Sequence, residues 1–156
     1  MQQFNIKNVD EEMLEVVNQF PEIFLDPSPE VLEWFEKGYL AENKEDLVNL
    51  RFGFECKNGW KELIRGFCCE ISALVDQAKK SGKDITYKSC IIKQKFGSLR
   101  FQGDFYGADA KEFQNKYYEI LSKWEGISQK VCEVTGKEGR LVNNNGHWQT
   151  LSETIK

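Results

Sequence analysis

The residues best suited to chemistry sit near the end of the chain, where Cys132 opens the stretch Cys-Glu-Val-Thr-Gly-Lys. A structural zinc knuckle sets a second cysteine three positions after the first, and a returning Cys-x-x-Cys or Cys-x-x-His pair completes the tetrahedron. Here the second position is Thr135, and the returning segment reads Thr150-Leu151-Ser152, with Ile155 three places beyond Ser152. Hydroxyl and hydrocarbon side chains are not structural zinc ligands. One thiol is left where four nitrogen or sulfur donors are needed, so the pattern predicts no metal and no cofactor.

A thiol beside an imidazole supplies a nucleophile and its base. His147 is the only histidine, and a knuckle-like tail would bring it near Cys132. A Cys132/His147 enzyme is therefore a third reading, behind two binding readings. No phosphate-cradling glycine loop, dinucleotide fingerprint or two-histidine metal motif is present. The expectation is a protein without catalytic activity.

Two charged sets could bind a partner. Lys93, Lys95 and Arg100 flank one predicted turn, and Lys93 and Lys95 share strand parity, which projects them from one face. Beside the edge of Phe96 or Tyr87 they would offer cations to phosphates and rings to bases. Against this, the chain carries a net charge of −4, and nucleic-acid binding rests on surplus positive charge. The competing expectation makes the lysines a solvated strand face and pairs Arg100 with a helix acid. The second set is acidic. Residues 1–50 hold twelve acids against three lysines, whereas the remainder is net positive by five. Glu30 and Glu33 fall one turn apart on a predicted helix, with Glu22 and Asp26 upstream and Trp34 at the margin. Such a carboxylate row imitates a phosphate track and suits the basic cleft of a nuclease or effector, with Trp34 as an aromatic anchor.

The elements that position these groups follow from periodicity. Asp10-Glu11-Glu12 opens a helix with apolar positions at Met13, Val16, Val17 and Phe20, which Pro21 should end. Ser28 and Pro29 are a cap and first turn for a helix burying Val31, Leu32 and Phe35. Trp60, Leu63, Ile64, Phe67, Cys68, Ile71, Leu74, Val75 and Ala78 make one helical stripe over five turns. Ile85, Tyr87, Ser89 and Ile91 then alternate with Thr86, Lys88, Cys90 and Ile92, as in a strand. Phe96-Gly97-Ser98 is a tight turn, and Leu99-Arg100-Phe101 begins the return. Asp109 to Glu112 reads as a capping box for a second long helix through Phe113, Tyr117, Ile120, Leu121, Trp124 and Val131. Gly136 and Gly139 should close that helical region, with Gly126 shortening or kinking it. A small hairpin turns at Asn143 to Gly146.

The expected fold is one α+β domain over residues 1–156. A small antiparallel sheet is packed by two long amphipathic helices, with an acidic helical N-terminal layer alongside. Residues 1–50 form that layer, 54–131 a helix–hairpin–helix core, and 132–156 a degenerate knuckle-like tail. No stretch approaches eighteen apolar residues, the N-terminus has no secretory pattern, and five cysteines show no disulfide spacing. These features predict a cytoplasmic protein with reduced thiols and no membrane partner.

Gly59-Trp60, Lys93-Gln94-Lys95-Phe96-Gly97-Ser98-Leu99-Arg100-Phe101, Cys132-Glu133-Val134-Thr135-Gly136 and Trp148-Gln149-Thr150-Leu151-Ser152 occur in that order. Over about two thirds of the chain this order resembles an uncharacterised family of small proteins common in phages, prophages and bacterial genomes. The family pairs the same hairpin with a zinc-knuckle tail, and Thr135 and Ser152 depart from it. The resemblance implies the architecture above and a mobile-element or defence setting. With the acidic N-terminal third, it predicts an inhibitor of toxin-immunity or phage counter-defence type. Its partner would be a toxin or a bacterial defence effector. A nucleic-acid-associated phage accessory protein is the alternative.

Overall fold

A computed structural model describes residues 11–24 and 54–154. Asp26, Glu30, Glu33 and Trp34, and the helix expected from Ser28-Pro29, lie outside the described residues. The chain is an α+β fold in which helices cover one face of a small sheet.

The first helix, α1, spans Glu11–Gln19, and its stripe Met13, Val16, Val17 and Phe20 is buried as the spacing requires. α1 ends at Gln19, just before Pro21, as expected. Proline has no amide hydrogen to lose at a first helical position, and Pro21–Phe24 forms a further single turn, α2, that buries Ile23 and Phe24. The long helix α3 runs Lys61–Lys80, preceded by a 3-10 turn at Asn58–Trp60. Its apolar stripe buries Ile64, Phe67, Cys68, Ile71, Val75 and Ala78, with Trp60 just ahead of it. Full burial of side chains of this size contributes about 1.5–3 kcal/mol each, so this face is a main source of stability.

Three strands make the sheet, in the order β1-β2-β3: Phe54–Glu55, Thr86–Lys95 and Ser98–Tyr106. β1 runs parallel to β2, with Phe54 opposite Ile92, a pairing that two residues cannot announce in a sequence. β2 and β3 form the expected antiparallel hairpin. A bulge shifts their register, so that Ser89 faces Gly103 while Ile91 faces Gln102 and Cys90 is the extra residue. The bulge reverses the strand's faces: Ile92 is fully buried and Ile91 only half-buried, the opposite of simple alternation. On the core face Phe67 of α3 stacks on Phe101 with ring centres 3.8 Å apart, and Tyr87, Phe105 and Tyr117 pack edge to face beside them. The Ser89 hydroxyl is buried there with no partner among the described residues. That costs about 1–3 kcal/mol, less than the surrounding rings gain by burial.

The second long helix, α4, spans Gln114–Ser128 after a 3-10 turn at Ala110–Phe113. Asp109 is not its cap. The Asp109 carboxylate instead accepts the Asp84 amide at 2.7 Å, and Asp84 accepts the Ala108 amide at 2.9 Å, a reciprocal clasp between two loops. α4 packs along the outer edge of β3: the Leu99 amide donates to the Ser128 hydroxyl, and Tyr117 donates to the Gly103 carbonyl. A sheet edge that would otherwise present bare amides is covered. The helix stops two residues after Gly126, well before Gly136 and Gly139, and Val131 bridges to Glu138 instead. The tail is a second hairpin of β4, Arg140–Asn144, and β5, His147–Leu151. No helix among the described residues is long and apolar enough to cross a membrane.

Candidate interaction surface and knuckle

Both hairpins close through two-residue turns in which each central residue has positive φ. Phe96 and Gly97 lie at 52° and 84°, Asn145 and Gly146 at 53° and 88°. This is the primed turn whose twist matches the flanking strands. The tail hairpin rests on the first turn. Thr150 Oγ1 donates to the Gly97 carbonyl at 2.7 Å, and Gln94 Nε2 donates to the Trp148 carbonyl at 2.5 Å. Leu141 packs so closely on Gly97 that a methyl group there would strike it. Leu141 lies opposite Thr150, and Asn143 opposite Trp148, so Leu141 and Trp148 share the hairpin face that meets the turn. Phe96 remains 68% exposed, Leu141 44% and Trp148 38%. Lys95 places its ammonium 5.7 Å from the Phe96 ring centre. The strand face of the tail hairpin therefore meets the first turn, where apolar side chains are exposed and a cation stands beside Phe96.

The three hairpin cations are not equivalent. Arg100 forms an ion pair with Glu125 of α4 at 3.1 Å, the helix-acid pairing expected for it. Lys93, opposite Arg100 and beside Glu55, and Lys95 make no ion pair with any described residue. Tyr87 is buried in the core, with its hydroxyl 2.7 Å from that of Tyr117. It offers no edge to a ligand, which leaves Phe96 as the ring beside the lysines.

Of the acidic row, Glu22 alone falls among the described residues. It is exposed, and its carboxylate accepts from the Ser72 hydroxyl at 3.1 Å. One helix earlier, Glu15 bridges to Lys61 at 2.7 Å and to Arg65 at 3.4 Å. The Lys61 hydrogen bond and charge hold its carboxyl below the usual carboxylate range. The described part of the acidic third is thus partly offset by basic residues of α3.

Cys132 sits in a turn with the hydrogen bonding of a knuckle. Its sulfur accepts the Thr135 amide at 3.4 Å, its carbonyl accepts the Gly136 amide at 2.9 Å, and Thr135 Oγ1 accepts the Lys137 amide at 3.2 Å. Burial pushes the thiol up, but hydrogen bonds from the Thr135 side chain and from the Thr135, Ser152 and Val134 amides outweigh it and bring its pKa to about 7. His147 is at the far end of β5, adjoining the turn, whereas Cys132 lies by the strand's base at Leu151 and Ser152. Four strand steps separate His147 from Leu151, about 13 Å, so no Cys–His dyad is assembled. Cys68 behaves as a small core hydrophobe, and burial drives its thiol well upward. None of the five cysteines forms a disulfide. Among the described residues no three His, Cys, Asp or Glu side chains converge on a metal position.

Sequence reasoning singled out Phe96 only as a companion to the lysines and missed that the neighbouring Gly97 meets Leu141 and Thr150 of the tail. One signal was available: Asn-Gly is a favoured pair for a primed turn, and Phe-Gly is not. No family model, curated protein or solved structure matches the chain.

Proposed function

We propose that the chain is a non-enzymatic inhibitor that acts by binding a partner protein, of the toxin-immunity or phage counter-defence type, through the surface where its tail hairpin rests on the first turn. The supporting observation is Phe96: a bulky ring held at positive φ and left 68% exposed. A non-glycine side chain in that region costs about 1–3 kcal/mol, and an exposed ring does not recover it by burial within the fold. A partner that buries the ring does. Aromatic side chains near the centre of an interface carry a large part of its energy, often about 2 kcal/mol or more each. The fitting partner has an apolar pocket for Phe96 and Trp148, with carboxylates placed for Lys93 and Lys95. Glu22, Asp26, Glu30, Glu33 and Trp34 stand as a second contact on the same partner, supported by the surplus of acids in residues 1–50.

A second reading takes its support from Lys95 beside the Phe96 ring, a pairing that also suits single-stranded nucleic acid. Salt separates the two, because contacts to several phosphates weaken steeply with ionic strength.

The test compares affinity capture from bacterial cells by the natural chain, by F96N/W148S and by E22K. One protein should be captured by the natural chain, retained by E22K with a modest loss, and reduced at least tenfold by F96N/W148S. Equal capture by the hairpin variant would sink the surface assignment. Recovery of nucleic acid, lost on adding salt, would favour the second reading.

A further inference from the structure

Asparagine followed by glycine is chemically labile in water, because the glycine nitrogen attacks the asparagine side-chain carbonyl and no side chain on the glycine stands in the way. The chain holds this pair twice, at Asn58-Gly59 and at Asn145-Gly146. The fold treats the two differently. The Gly59 amide donates to the Glu133 carbonyl at 2.7 Å, and a side chain on Gly59 would collide with the backbone of Cys132 and Glu133. The next residue, Trp60, is fully buried, and its indole donates to the Val131 carbonyl at 2.8 Å. Freeing the Gly59 nitrogen means lifting the tail off the body, an opening that costs much of the fold's stability.

Asn145-Gly146 stands at the tip of the tail hairpin. Both residues are exposed, and nothing lies within 4 Å of the point where a side chain on Gly146 would begin. The Asn145 side chain has no hydrogen-bond partner among the described residues. One contact restrains the nitrogen: the Gly146 amide donates to Asn143 Oδ1 at 2.7 Å. Breaking it disturbs the turn alone, since the strand pairs from Asn144 with His147 to Arg140 with Leu151 lie behind it. Such tips open at small cost. Asn143 and Asn144 are each followed by another asparagine, whose side chain crowds the attacking nitrogen.

We infer that Asn145 is a self-modification site, converted to aspartate and isoaspartate while the chain is folded, and that Asn143 is its brake. The Gly146 nitrogen gives up its proton and bonds to the side-chain carbonyl carbon of Asn145. The bond from that carbon to the side-chain nitrogen breaks, and ammonia leaves with the proton. The five-membered imide then takes up one water and opens at either carbonyl. One opening gives aspartate; the other gives isoaspartate, in which the main chain runs through the side chain and gains a methylene. Both add one negative charge to the hairpin. Asp-Gly still suits the primed turn, whereas the longer isoaspartate backbone does not fit a two-residue loop. The hairpin that carries Trp148 thus acquires an irreversible mark of age. This inference does not depend on the partner surface proposed above.

Peptide mapping by mass spectrometry tests it on the natural chain, kept folded in mildly alkaline buffer. The peptide holding Asn145 should gain the mass of an amide-to-acid exchange and show an isoaspartate form, while the peptide holding Asn58 stays unchanged. An Asn145 that stays intact while the urea-unfolded chain converts overturns the inference, as does conversion at Asn58 first. N143A releases the Gly146 amide and should speed conversion about two- to tenfold, the factor that one lost hydrogen bond sets. An unchanged or slower rate in N143A, folded by circular dichroism, overturns the part given to Asn143. Should N143A fail to fold, amide hydrogen exchange of the natural chain decides. The Gly146 amide should exchange faster than that of Gly59, and the reverse order counts equally against the inference.

Discussion

The turn at Phe96-Gly97 and the turn at Asn145-Gly146 share nearly the same φ angles, yet their sequences answer different demands. In the second, asparagine tolerates positive φ, Gly146 has open space around it, and the Asn143 side chain accepts the Gly146 amide at 2.7 Å. That turn is solved locally. In the first, a phenylalanine occupies the strained position, and the glycine is hemmed in by Leu141 and by the Gln149 backbone. Its residues make sense only with the tail laid over them and with a use for the exposed ring. The same positive-φ turn can thus be chosen for folding in one place and tolerated in another.

The comparison breaks most visibly at the glycines. G97A should destabilise by about 3 kcal/mol or more, since positive φ and a collision with Leu141 add. G146A meets only the backbone cost, about 1 kcal/mol. Equal urea midpoints for the two would mean that the tail hairpin does not rest on the first turn. T150V removes the hydroxyl that donates to the Gly97 carbonyl, and should cost about 1–2 kcal/mol by the same measurement. Exchanging the first positions sharpens the contrast further. F96N should stabilise the isolated chain by about 1 kcal/mol and N145F should destabilise it by a similar amount. A loss of stability in F96N would show that the ring holds the fold together, against the partner-binding proposal.

A pH-dependent effect lies in the Cys132 turn. The folded pKa of Cys132, about 7, is below its ordinary value of 9.0. Between those values the unfolded chain binds more protons, so this thiol's contribution to stability is complete above about pH 9 and fades as pH falls through about 7. Relative to C132S, the natural chain should gain stability steadily over that window. A flat difference in denaturation midpoints would remove the thiolate from the account.

The helices and the first hairpin were legible because their signals are local. Five turns of apolar spacing from Trp60 to Ala78 leave α3 no other face to bury. The outer half of β2 was misread because one extra residue, Cys90, inverts side-chain parity, and alternation alone carries no sign of it. Asp109 has the composition of a cap, but Asp84 competes for its carboxylate from another loop. The candidate surface was the least readable part. Its halves are joined by a hydrogen bond between residues 53 apart in the chain, and nothing near Phe96 in sequence names Leu141 or Trp148. The acidic row was evident in composition, yet Glu15, in the same acidic third, already pairs with Lys61 and Arg65 of α3.

The bond from the Trp60 indole to the Val131 carbonyl spans 71 residues. During synthesis α3 leaves the ribosome long before its acceptor exists, so the nascent chain carries a core tryptophan whose donor is unsatisfied. Long-range closure of this kind comes late in folding. A message cut short upstream of Val131 would yield a product that cannot finish its own interior and offers proteases an open flank. The segment around Val131 therefore completes an interior that Trp60 begins.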